Sequence, residues 1–143
     1  MNNKLAIKLF LFLFVATLAG CSGKEDIFEK FPPEILYKRF EYDSSGSGSW
    51  KVSPDALEIT LESGQTEWTV RARVSAPNEL VEVKLMTVSG ADQNLLQTYT
   101  EFPDNLNVTE IEYELTDIKS QITVRLEATD RKGMLTRKDF TIK

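Results

Sequence analysis

From Leu57 onward the chain alternates apolar and polar residues with a period of two. Leu57, Ile59 and Leu61 alternate with Glu58, Thr60 and Glu62. Trp68, Val70, Ala72 and Val74 alternate with Thr69, Arg71 and Arg73, and Ile111, Tyr113 and Leu115 with Glu110, Glu112 and Glu114. Ile122, Val124, Leu126 and Ala128 repeat the pattern against Thr123, Arg125 and Glu127. This period places successive side chains on opposite faces of a strand, whereas a helix needs 3.6. Leu80 to Val88, with Val81, Val83 and Leu85 expected on one face, a weaker run near Leu95 to Thr100, and Met134 to Ile142 complete about seven strands. Turn residues separate them: Ser63-Gly64-Gln65, Ala76-Pro77-Asn78, Ser89-Gly90-Ala91-Asp92, Pro103-Asp104-Asn105 and Asp130-Arg131-Lys132-Gly133. Alternation means each sheet has one wet face, and two such sheets bury their apolar faces against each other. The expected fold is an all-β sandwich of antiparallel strands, with a small barrel as the alternative.

Composition closes several functional classes. With no histidine there is no Ser–His–Asp or Cys–His couple and no imidazole metal ligand. A single cysteine makes neither an internal disulfide nor a thiolate cluster. A net charge of −5 argues against nucleic acid as a partner. No G-x-S-x-G, phosphate-binding glycine loop or H-E-x-x-H occurs, and Glu110, Glu112 and Glu114 read as one solvated strand face rather than a hydrolytic pair. The chain is therefore expected not to be an enzyme and to carry no cofactor.

The N-terminus reads as an address. Lys4 and Lys8 precede an apolar run, Leu9 to Leu18, too short for the roughly twenty residues of a spanning helix. The run ends in Leu18-Ala19-Gly20-Cys21, which resembles the lipobox of bacterial lipoproteins. That resemblance implies a signal peptide over 1–20, cleavage before Cys21, acylation of this cysteine, and attachment to a membrane through the lipid. Cleavage removes two lysines and no acid, shifting the net charge from −5 to −7. Lys24-Glu25-Asp26, close behind the cysteine, resembles the surface-export signal of Bacteroidetes-type lipoproteins and implies display on the outer membrane, with the periplasmic face as the alternative.

Residues 21–55 read as a lipidated tether. Pro32-Pro33 is a breaker and Ser44-Ser45-Gly46-Ser47-Gly48-Ser49 a flexible link. Between them Glu34 to Tyr42 is too apolar for a pure spacer, and is expected either to dock on the domain or to bind a partner. Residues 56–143 form the domain. Its strand count and size resemble immunoglobulin-like or fibronectin type III-like domains, and the run from Ile122 through Ala128-Thr129-Asp130 to Gly133 resembles the penultimate strand and hairpin of bacterial immunoglobulin-like and cadherin-like modules. The inter-sheet cysteine pair of antibody domains is missing, and Trp68 falls on the second strand rather than the third.

Binding residues are sought among aromatics outside the alternating set. Trp50, Tyr99 and Phe102 are candidates for stacking on a sugar. Asp104, Asn105 and Asn107 offer oxygen ligands of the kind calcium takes, and Asp130 resembles a calcium-ligating position of cadherin-like modules, although turn capping is the favoured account of Asp and Asn at such places. No metal is expected. The expected function is a cell-surface binding or adhesion module, with a glycan as first-choice ligand. The alternative is an accessory subunit docking on an outer-membrane protein complex.

Overall fold

A computed structural model describes residues 30–53 and 57–143. The lipobox, Cys21 and Lys24-Glu25-Asp26 lie outside the described residues. Nine strands occur among the described residues: β1 (Glu34–Tyr42), β2 (Gly48–Val52), β3 (Glu58–Ile59), β4 (Trp68–Ser75), β5 (Leu80–Ser89), β6 (Asp92–Tyr99), β7 (Val108–Leu115), β8 (Ile122–Asp130) and β9 (Leu135–Ile142). They form a four-stranded sheet, β2-β1-β4-β7, and a five-stranded sheet, β3-β9-β8-β5-β6. All pairs are antiparallel except β3 with β9.

The two sheets stack as an immunoglobulin-like sandwich. β1, β4 and β7 stand where that fold places its A, B and E strands, and β5, β8 and β9 where it places C, F and G. Alternation supplies the core: Val70, Ala72 and Val74 of one sheet face Val83, Leu85, Val124 and Leu126 of the other, each fully buried. Seven strands match the expected ones. Their outward neighbours form cross-strand ion pairs, such as Arg125 with Asp139, two hydrogen bonds of 2.7 and 2.9 Å between opposed residues of β8 and β9. That guanidinium holds the Asp139 carboxyl below the usual carboxylate range.

Two strands come from the segment read as tether, so the boundary at 55/56 is corrected. β1 pairs with β4 from Glu34↔Ser75 to Tyr37↔Ala72, and Ile35 and Tyr37 lie in the core. The compact unit runs from Phe31 to Lys143. The Ser/Gly run is a hairpin turn rather than a loose link. Asp43 Oδ1 accepts hydrogen bonds from the Ser45 amide (2.8 Å), the Ser45 hydroxyl (2.6 Å) and the Ser47 amide (3.0 Å). Gly46 supplies the left-handed φ of 80° that closes the turn. These bonds favour the charged form and hold the Asp43 carboxyl below its ordinary range.

Val81 is corrected as well. The β5–β8 register shifts between Leu80 and Glu82, and this bulge turns Val81 outward, 47% exposed, while Val83 and Leu85 stay inside. No helix among the described residues is long and apolar enough to cross a membrane.

Candidate functional site

The outer face of the four-stranded sheet carries an aromatic row. Phe40 of β1 opposes Trp50 of β2 in the register, and both rings point away from the core at a centroid distance of 5.3 Å, edge to face. Tyr42 meets the other side of Phe40 at 5.2 Å. Beyond the row Trp50 also meets Trp68 at the start of β4, a half-buried ring packed against the core, with centroids 6.5 Å apart and planes at 69°. Such edge-to-face contacts suit the ring quadrupole. Gly48 makes the row possible. A Cβ there would collide with the Phe40 ring and press on Tyr42, so the aromatic lies across bare backbone.

A cation completes the row. The Arg71 guanidinium stands 4.5 Å from the Trp50 ring centroid and donates to Glu112 on β7 at 2.6 Å. Its Nε is buried with no hydrogen-bond partner among the described residues. Next to it Lys38 pairs with Glu110 at 2.7 Å.

At the end of the row, between the two tryptophans, opens a cleft of about 580 Å³. Its walls are Trp50 and Trp68, the loop Gly64 to Glu67, Thr69 and Glu114. The loop is held by Gln65, whose amide oxygen accepts from the Glu62 backbone (3.2 Å) and whose amide nitrogen donates to the Glu67 carbonyl (3.0 Å). Indole surface, hydroxyls and carboxylates thus line one open, largely polar concavity.

Of the sequence candidates, Trp50 alone belongs here. Phe102 is corrected: it is 7% exposed and part of the core. Tyr99, at the end of β6 in the other sheet, is half-buried against the core, and burial followed by the charge of Tyr113 raises its phenol above the ordinary value. The structure does not bring these three rings together.

The oxygen-rich residues hold turns. Asn105 Oδ1 accepts from the Asn107 amide at 2.8 Å, and Asn107 Nδ2 donates to the carbonyls of Ala76 (2.9 Å) and Pro77 (3.1 Å). Asp104 is exposed in the same loop. Asp130, buried, accepts from the amides of Lys132 (3.0 Å) and Met134 (2.8 Å) and from Asn78 Nδ2 (3.1 Å). Asp130 sits on β8, outside the Asp104–Asn107 loop, and no cluster of three metal-ligating side chains occurs among the described residues.

Sequence reasoning missed Trp68, Phe40, Tyr42 and Glu114 as neighbours of Trp50. Trp68 shares its parity with core residues Val70 and Ala72, and Glu114 its parity with the solvated glutamates. The available signal was the pair of tryptophans itself, the chain having two, with turn residues between them.

No protein-family model and no curated protein matches this chain. Among solved structures it is similar to a superoxide reductase (neelaredoxin) from Ignicoccus hospitalis T24K. That likeness has 12% identity and a TM-score of 0.44, covering 82% of this chain and 87% of the other. It is also similar to the sulfane dehydrogenase SoxCD from Paracoccus pantotrophus, with 13% identity and a TM-score of 0.40, over 68% of this chain and 27% of that one. Both are enzymes by name, so the expectation that this chain is not an enzyme is corrected and withdrawn. Likeness at these scores transfers no activity or cofactor.

Proposed function

We propose that this chain is a lipid-anchored binding module of the bacterial cell envelope, displayed on the outer membrane, which takes a glycan in the cleft between Trp50 and Trp68. The observation that carries the ligand is the pairing of two partly exposed indoles with hydroxyl and carboxylate groups around one open concavity. A pyranose presents C–H faces to such rings while its hydroxyls pair with the polar rim. The address is supported by Leu18-Ala19-Gly20-Cys21 and Lys24-Glu25-Asp26.

Glycan-array binding by wild type, Trp50→Ala and Trp68→Ala tests the site. Wild type is expected to bind a defined glycan and each variant to lose it. A blank array for wild type sinks the reading. Fatty-acid labelling tests the anchor: wild type takes up label and Cys21→Ser does not, whereas equal labelling of both refutes lipidation. Protease shaving of intact cells removes a surface-displayed domain and spares a periplasmic one.

The docking alternative keeps one supporting observation. β6 is an open edge of the five-stranded sheet, and its Leu95 is 56% exposed. A fixed partner recovered by cross-linking in cells, together with a blank array, supports that alternative.

A further inference from the structure

The three glutamates on the outer face of β7 are not equivalent. Glu110 is neutralised by Lys38 at 2.7 Å and Glu112 by Arg71 at 2.6 Å. Glu114 lies opposite Thr69 in the register and has no ion pair among the described residues. It lines the cleft instead. Glu67, on the facing loop beside Trp68, has no ion pair among the described residues either. Among the described residues the lining of the cleft therefore holds two carboxylates without an ion pair, two indole rings and no cationic side chain.

Both kinds of group attract the same chemistry. A carboxylate favours a cation by charge and an indole face by its quadrupole. Trp50 already carries one cation, since Arg71 stands over it, and that guanidinium is committed to Glu112. An anionic sugar, such as a uronic acid or a sulfated unit, would instead bring like charge against Glu67 and Glu114, within a chain whose net charge is already −5.

We propose that the ligand of the Trp50–Trp68 cleft is a cationic amino sugar, its ring on the indoles and its ammonium group between Glu67 and Glu114. This rests on the glycan reading above and specifies its charge.

Titration calorimetry of the full chain in detergent, against a glucosamine oligomer with protonated amines and against its neutral N-acetylated counterpart, tests the proposal. The charged oligomer is expected to bind about fivefold tighter, the size of one or two exposed ion pairs. The preference is expected to shrink with added salt. The double variant Glu67→Gln/Glu114→Gln is expected to abolish it, and Glu110→Gln to keep it, with circular dichroism confirming that both variants are folded. Equal binding of the two oligomers overturns the amine assignment and leaves the glycan reading standing. Tighter binding of the neutral oligomer, or a preference that survives the double substitution, also overturns it. Binding of neither oligomer overturns it too, and the glycan reading is then decided by the array alone.

Discussion

Tyr37 donates its hydroxyl hydrogen to the carbonyl oxygen of Lys138 across 2.9 Å, joining β1 of one sheet to β9 of the other. The two residues are 101 positions apart in the chain. The phenol ring lies 4.9 Å from Phe140, and Tyr37 is 1% exposed. Thr136 Oγ1 donates to the Pro33 carbonyl (2.6 Å) just beyond it, so the segment ahead of the alternating strands is tied into the sandwich at two points. Tyr37→Phe removes one buried hydrogen bond and keeps the packing. Its expected cost is about 0.5–1.5 kcal/mol, whereas Tyr37→Ala also opens a cavity and costs about 3–5 kcal/mol. Urea unfolding at unchanged m-value measures both. Equal costs for the two variants would mean that the ring does not pack as described.

The same phenol makes the fold sensitive to alkali. Burial disfavours the phenolate and pushes the Tyr37 phenol far above its ordinary value, so the folded chain keeps a proton that the unfolded chain releases above pH of about 10. The folded state then binds more protons, and stability falls as pH rises beyond that point, by up to about 1.4 kcal/mol per pH unit. Below that pH the contribution is constant. Tyr37→Phe is expected to flatten this decline in urea midpoints collected up the alkaline limb. The shallower decline that remains includes Tyr99, whose phenol is raised in the same direction. Parallel curves for wild type and variant would dismiss the assignment.

Gly48 and Phe40 form a second testable couple. A methyl group at Gly48 displaces the Phe40 ring and, through it, the contact with Trp50. Gly48→Ala is expected to cost about 1–3 kcal/mol by overpacking and to weaken the near-ultraviolet dichroism of the aromatic row. In a Phe40→Ala background the same substitution meets only the edge of Tyr42, at 3.2 Å, and is expected to cost no more than about 0.5 kcal/mol. Additive costs in this cycle would show that the ring does not lie over Gly48.

Most of the sandwich was legible because alternation reports directly which side chains a half-buried strand hides. Val70, Ala72 and Val74, or Val124, Leu126 and Ala128, need no tertiary information to be placed inside. The failures depend on contacts that the two-residue period does not report. The Ser/Gly run from 44 to 49 has the composition of a linker, and it becomes a hairpin because Asp43 collects its amides and because Ile35 and Tyr37 find the core. Phe102 follows a proline-bounded loop pattern yet is drawn into the interior. Val81 obeys the period, but the bulge before Glu82 reverses it. The cleft was the least legible feature. Trp50 and Trp68 belong to strands with β1 between them, and only the sheet order β2-β1-β4 makes them neighbours.

Asp130 supplies the sharpest test of whether the oxygen-rich residues hold turns or an ion. Its Oδ1 accepts from the amides of Lys132 and Met134, and its Oδ2 from Asn78 Nδ2, all inside a carboxylate 2% exposed. These bonds close the β8–β9 hairpin, where Gly133 at φ 79° also donates to the Asp130 carbonyl (3.0 Å), and link it to the loop before β5. Asp130→Ala removes a buried carboxylate that accepts from three donors and is expected to cost about 2–4 kcal/mol. Asp130→Asn keeps an acceptor for the turn amides but turns an NH₂ group toward the donor of Asn78. The exchanged pair Asn78→Asp/Asp130→Asn restores a donor facing an acceptor and is expected to recover part of the loss, which a double-mutant cycle on urea midpoints measures. If the carboxylate served calcium instead, the ion would bind the folded state and raise its melting temperature. With these acceptor positions occupied by protein donors, added calcium is expected to leave the melting temperature of wild type and of the exchanged pair unchanged, and a rise in wild type alone would assign Asp130 to the ion.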